Sequence, residues 1–135
     1  MNPPALLSCP CGRVVGKKLV AFAACCGRYL DPIDGVAAPD AESLMRSRYS
    51  AFVQCRTDYL AATWHPSTRP EDVAADPGTH WLGLEVRQHT VQDAEHAEVE
   101  FVARYREAGR GARIHECSRF VRDGGRWFYV DGDLR

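Results

Sequence analysis

Four of the six cysteines in this 135-residue sequence fall within eighteen positions, as Cys9-Pro10-Cys11 and Cys25-Cys26. Two close pairs joined by a loop suit a tetrahedral zinc ion, which binds thiolate sulfurs at about 2.3 Å. Disulfides fit less well, because a bridge wants Cα atoms roughly 4.4–6.8 Å apart and adjacent or once-removed cysteines reach that only with strain. Cross-pairing in an oxidising compartment and buried or redox thiols are the alternatives. Four thiolates around one divalent ion leave a charge of about −2. Arg13, Lys17, Lys18 and Arg28, with no acid among residues 1–28, stand ready to balance it. Cys9, Cys11, Cys25 and Cys26 are therefore the expected zinc ligands, and a closed set of four leaves no open position for metal catalysis.

A knob of this size leaves most of the chain unaccounted for, and the remainder is long enough to bury a hydrophobic core. Apolar residues at 45% and charged residues at 26% are close to average globular usage, so neither disorder nor a membrane protein is indicated. A net charge of −1 argues against a protein whose main work is coating nucleic acid. The charge is nevertheless uneven: seven arginines between 104 and 126 face only Glu107, Glu116 and Asp123. No stretch reaches the roughly 20 apolar residues of a membrane span, and the N-terminus has no charged region leading into an apolar run. A cytoplasmic protein is expected, in a compartment that keeps thiols free for metal.

Along the chain, Gly12, Gly16 and Lys17-Lys18 read as a turn, and residues 19–24 as a short apolar helix or strand that delivers Cys25 and Cys26. Residues 31–39 form a turn-rich linker. Asp40 is a good helix N-cap, with Glu42 in the first turn where an acid suits the helix dipole. The spacing of Met45, Tyr49, Phe52 and Val53 predicts one apolar face on a helix running to about Gln54. A second helix is expected from Thr57-Asp58 to His65, stopped by Pro66, and one further turn at Glu71 to Ala75. From Thr79 the period becomes two, predicting strands around 81–86, 98–105, 114–121 and 127–130, with Asp123-Gly124-Gly125 as a hairpin turn. Helices followed by an antiparallel meander give an α+β fold, with the helices packed on one face of a curved sheet.

Cys-Pro-Cys-Gly, a Gly-Lys-Lys step and Cys-Cys-Gly resemble the SEC-C motif, a small zinc module. Thirteen residues separate Cys11 from Cys25, more than is usual in that motif. The stretches Leu44-Met45-Arg46-Ser47-Arg48-Tyr49-Ser50-Ala51-Phe52, Thr63-Trp64-His65-Pro66, Trp81-Leu82-Gly83-Leu84, Phe101-Val102-Ala103-Arg104, Ser118-Arg119-Phe120 and Tyr129-Val130-Asp131-Gly132 resemble the YchJ-like family of bacterial proteins. The resemblance implies a SEC-C-like module at residues 1–30 and a nuclear transport factor 2-like domain at 31–135, a cone of curved sheet closed by helices. Many relatives carry a second SEC-C motif at the C-terminal end. This sequence shows none up to Arg135, so a function that needs two modules would require a dimer.

A cone of this kind holds a pocket at its open end. Glu116 and Ser118 share a strand face with Ile114 and Phe120, which makes Glu116 a candidate general acid or base, with Asp131 and His65 at neighbouring element ends. The alternative is a structural ion pair of Glu116 with Arg46 or Arg48. His80, His89, His96 and His115 show no ligand spacing, and Cys55 and Cys117 read as single core thiols. Trp64, Trp81 and Trp127 read as core, with ligand stacking as the alternative.

Three functional readings follow. The first is a non-enzymatic adaptor whose zinc-folded knob docks on a protein partner. The second is a small-molecule binder or enzyme using the cone pocket. The third is nucleic-acid or ribosome contact through the arginine-rich strands.

Overall fold

The computed structural model describes residues 7–135. The chain opens with a two-stranded ribbon, β1 at Val14–Val15 and β2 at Lys18–Leu19, then a 3-10 turn at Phe22–Ala24 and a one-turn helix α1 at Gly27–Leu30. Helices α2 (Ala41–Val53) and α3 (Thr57–Ala62) follow, and then strands β3 (His80–Val91), β4 (His96–Glu107), β5 (Arg110–Asp123) and β6 (Arg126–Leu134). The four long strands form one antiparallel meander in chain order. The fold is α+β, as the change of period implies.

The long strands outrun their expected bounds because pairing continues where the alternation of apolar residues stops. Arg104, Tyr105 and Arg106 pair with Arg113, Ala112 and Gly111 across a tight turn at Ala108-Gly109. Both turn residues have positive φ, 51° and 77°, the backbone of a two-residue hairpin whose twist matches its strands. An alanine in that position gives no sequence signal for a turn. Register shifts at Trp81/Gly83 and Val86/Gln88 in β3, and at Arg119/Phe120 between β5 and β6, add local twist and bend the sheet around the helices.

Asp40 caps α2 as expected, its carboxylate accepting the Ser43 N–H at 2.7 Å. The face of α2 is broader than the apolar spacing predicts. Met45 and Tyr49 are buried toward the sheet, but Val53 is exposed, while Leu44, Ser47, Ser50 and Ala51 are buried as well. Small side chains there let the N-terminal module approach α2 closely. Ser47 Oγ satisfies itself on Leu44 O at 2.8 Å and Tyr59 OH at 2.7 Å, so its burial leaves no lost hydrogen bond.

Two expectations fail between the helices and the sheet. α3 ends at Ala62, three residues before His65, because Thr63 and His65 exchange backbone bonds with Tyr129 of β6, both at 2.8 Å. The helical turn expected at Glu71 to Ala75 is absent; the segment is irregular, with a bend at Glu71. Five residues between Arg69-Pro70 and Asp76-Pro77 are too few to repay helix nucleation, and Val73 and Ala75 pack against the core instead.

Candidate metal centre and sheet cavity

The ribbon folds the N-terminal module back on itself. Gly16 and Lys17 both take positive φ, 58° and 68°, closing the hairpin, and Cys9 N–H donates to Val20 O at 2.9 Å. The chain then passes through the 3-10 turn, placing Cys25 and Cys26 at the start of α1. Gly27 is required there: a Cβ would lie 2.8 Å from the carbonyl oxygen of Phe22.

The result brings Cys9, Cys11, Cys25 and Cys26 together with all four sulfurs within 4.8 Å of one another, each residue at most 4% exposed. Cys11 Sγ and Cys25 Sγ are 3.7 Å apart. A tetrahedral zinc with bonds of about 2.3 Å would place its sulfurs about 3.8 Å apart, whereas a disulfide would need about 2.05 Å. The ionisation of the cluster fits a cation. Thiol donation from Cys11 and Cys26 holds Cys9 far below its ordinary value. Hydrogen bonding to Cys11 and Cys9, followed by burial, pushes Cys26 far up, and burial above all pushes Cys25 up to about 12. One thiolate is tolerated alone; four together require a positive charge at their centre. The donor set and its spacing can hold a metal ion.

The basic residues around the cluster differ in part from those the sequence points to. Arg28 Nε donates to Cys25 O at 3.0 Å, but Arg13 turns to Ser43 and Glu42. The second arginine on the cysteine loop is Arg46 of α2, whose Nη1 donates to Cys11 O at 3.0 Å while its Nε pairs with Glu42 at 2.9 Å. Ser50 Oγ, also on α2, lies 3.6 Å from Cys9 Sγ. The cysteines thus belong to the same buried cluster as Leu44, Tyr49 and Leu60.

On its sheet side, α2 bounds a cavity of about 410 Å³, within the range of small-molecule sites. Aromatic side chains dominate its lining: Tyr49 and Phe52 from α2, Trp64, Trp81 from β3, Phe101 and Tyr105 from β4, and Tyr129 from β6. Trp64 and Trp81 therefore wall a space and do not fill it, while Phe120 lies beneath, edge-to-face with Tyr129 at 5.8 Å.

Arg48 reaches the cavity from α2 and is 4% exposed. Its Nη1 donates to Leu60 O at 2.9 Å and Thr63 Oγ1 at 2.7 Å. The guanidinium stacks 4.7 Å from the Tyr129 ring centre and 5.4 Å from that of Trp64. No carboxylate among the described residues comes within the 4.0 Å of an ion pair. Burial pushes this arginine down to about 10.

Of the three acid-base candidates, only Glu116 lines the cavity. Its Oε2 accepts from Ser118 Oγ at 2.5 Å and from Tyr129 OH at 3.4 Å, and burial, with Glu116 second, pushes Tyr129 up to about 12. The ion pair of Glu116 with Arg46 or Arg48 does not form, since Arg46 is spent on Glu42 and Cys11. His65 pairs with Asp123 at 3.0 Å. Asp131 pairs with Arg119 at 2.6 Å. Glu116, Asp131 and His65 therefore make no common site.

The remaining histidines are dispersed, His115 on Glu100 at 2.6 Å and His96 on Asp93 at 2.9 Å. Cys117 is buried as expected, but Cys55 is exposed, because it leaves the end of α2 with φ 55°. Among the arginines of 104–126, Arg119 and Arg104 are in ion pairs and Arg126 donates to backbone carbonyls of Asp34 and Gly35. No helix among the described residues is long and apolar enough to cross a membrane.

A four-cysteine cluster seated on helices that close a bent antiparallel sheet is the architecture of SEC-C-motif proteins with a nuclear transport factor 2-like domain. Two solved structures share it. A SEC-C motif containing protein from Psychrobacter arcticus superposes with a TM-score of 0.80 at 29% identity, over 97% of this chain and 84% of that one. A SEC-C motif containing protein from Rhodopseudomonas palustris gives 0.79 at 29% identity, over 96% and 99%. The profile of the YchJ middle NTF2-like domain matches residues 40–132. A UPF0225 protein of Polaromonas sp. is 64% identical over 98% of this chain and 99% of its own length. Another, from Methylibium petroleiphilum, is 57% identical over 96% and 90%. The chain belongs to the YchJ-like, UPF0225 family.

Proposed function

We propose that this chain is a zinc-braced small-molecule-binding domain. Zinc held by Cys9, Cys11, Cys25 and Cys26 is structural, supplying the charge that lets four buried thiolates ionise together. The cavity between α2 and the sheet receives the ligand. One observation carries the reading: an aromatic-walled space of about 410 Å³ holds a buried guanidinium without a carboxylate partner. An unpaired charge in a core is costly unless something completes it. The separation of Glu116 from Asp131 and His65 leaves binding better supported than acid-base catalysis.

Neutral naphthalene-class fragments should quench tryptophan emission from the cavity walls and raise the melting temperature of the zinc-loaded protein. Ala103→Leu, which fills a lining position, should abolish both effects. If no fragment acts on the wild type, the cavity is not a ligand site.

The adaptor reading has its own support. Val14, Val15 and Leu19 are 53%, 67% and 58% exposed on the β1–β2 ribbon, an apolar tip beside Lys17 and Lys18. Apolar side chains grouped on an exposed ribbon favour a protein partner. Replacing all three by serine should abolish co-purification of one specific partner while zinc content and melting temperature stay unchanged. Retention of every partner by that variant would remove the support.

A further inference from the structure

The polar groups of the cavity also define what kind of molecule it takes. Arginine has five N–H groups. Arg48 commits only Nη1, to Leu60 O and Thr63 Oγ1; its other N–H groups have no partner among the described residues. Opposite, Glu116 holds Ser118 and Tyr129 on Oε2. Tyr129 spans the two, its ring under the Arg48 guanidinium at 4.7 Å and its hydroxyl on Glu116 at 3.4 Å. The cation over the ring face and the carboxylate at the hydroxyl thus flank one phenol side chain without coming within the 4.0 Å of an ion pair.

We propose that the ligand is a neutral, planar ring compound with an acceptor for Arg48 and an N–H donor for Glu116, of the aromatic amide or lactam class. The inference rests on the small-molecule reading above. Free donors of Arg48 call for an oxygen or nitrogen acceptor, and a carboxylate would supply one. Charge decides against it. Glu116 is half-buried in the lining, while Asp76 and Glu107, which also line it, are exposed, so an incoming anion that reaches Arg48 meets the Glu116 carboxylate in the same enclosed space. A neutral amide satisfies the arginine through its carbonyl and the carboxylate through its N–H without adding charge. The flat aromatic walls supply the contact area for its body.

The test uses the zinc-loaded full chain and three probes with one body: 2-naphthamide, methyl 2-naphthoate and 2-naphthoate, followed by cavity tryptophan quenching. The amide should bind about tenfold more tightly than the ester, which lacks the donor, and than the anion. Arg48→Met, of similar length and apolar, should weaken amide and ester alike by about tenfold, since both accept from Arg48 through a carbonyl, while zinc content and the folded signal persist. Glu116→Gln should strengthen binding of 2-naphthoate, since a repelling charge is gone. Should Arg48→Met fail to fold, the Glu116→Gln result and the wild-type ranking still decide. Equal binding of amide and ester, or tightest binding of the anion, overturns this assignment and leaves the cavity as a ligand site. Failure of all three probes overturns the cavity reading with it.

Discussion

Replacing Cys25 and Cys26 together by serine is expected to abolish metal binding and to unfold the sheet domain along with the N-terminal module. The four sulfurs lie in the same buried cluster as Leu44, Tyr49 and Leu60. α2 holds the cysteine loop through Arg46 on Cys11 O and Ser50 beside Cys9. Without a cation the thiols repel ionisation, and the residues that α2 buries against them lose their packing. Metal-coupled folding of small zinc modules is worth about 10–16 kcal/mol, comparable to or larger than the whole stability of a domain at about 5–15 kcal/mol. Metal analysis of protein prepared without chelator should give about one zinc per wild-type chain and none in the variant. Emission from Trp64, Trp81 and Trp127, all outside the module, should shift to that of unfolded protein. Full zinc in the double variant would refute the ligand assignment. Loss of zinc with unchanged emission would show instead that residues 1–30 fold separately from the sheet.

The second large effect is expected at Phe120. It is 2% exposed, the largest of the fully buried side chains, and meets Tyr129 edge-to-face. Phe120→Ala removes a buried ring from a core that cannot fully collapse around the gap, at a cost of about 3–5 kcal/mol. For a domain of this size that lowers the melting temperature by roughly 10–20 °C. The loss should reach the cavity as well, because Tyr129 loses the ring that fixes it, and Tyr129 carries both Arg48 and the bond to Glu116. Probe binding in the still-folded variant at low temperature should weaken. A shift of only a few degrees would mean that the base of the cavity is not packed as described.

Much of this architecture was legible in local sequence. The cysteine pairs identify themselves because metal ligation requires particular residue types at close spacing, and the structure brings those four sulfurs together. Asp40 with Glu42 marks a helix start because capping is a local hydrogen bond, and Asp123-Gly124-Gly125 marks a turn because positive φ favours glycine. The resemblance carried by residues 44–52, 63–66 and the strand segments pointed to the family before any coordinates.

The rest depended on partners distant in sequence. Ser47, Ser50 and Arg48 lie outside the apolar spacing of Met45, Tyr49, Phe52 and Val53, yet all three are buried, because a second layer, the cysteine module on one side and α3 on the other, covers them. Arg46 stabilises the cysteine loop from 35 residues away. The α3 end and the β6 bulge are decided by backbone bonds between Tyr129 and Thr63 and His65. Above all, Glu116 alternates on the expected strand face, but whether it meets Asp131, His65 or Arg48 is fixed only when the sheet bends and Tyr129 stands between. The sequence by itself determined the cysteine pairs that come together, the class of fold and the family. Only the tertiary structure decided which charges are paired and which are left facing an open cavity, because pairing is a matter of distances across elements that no local pattern records.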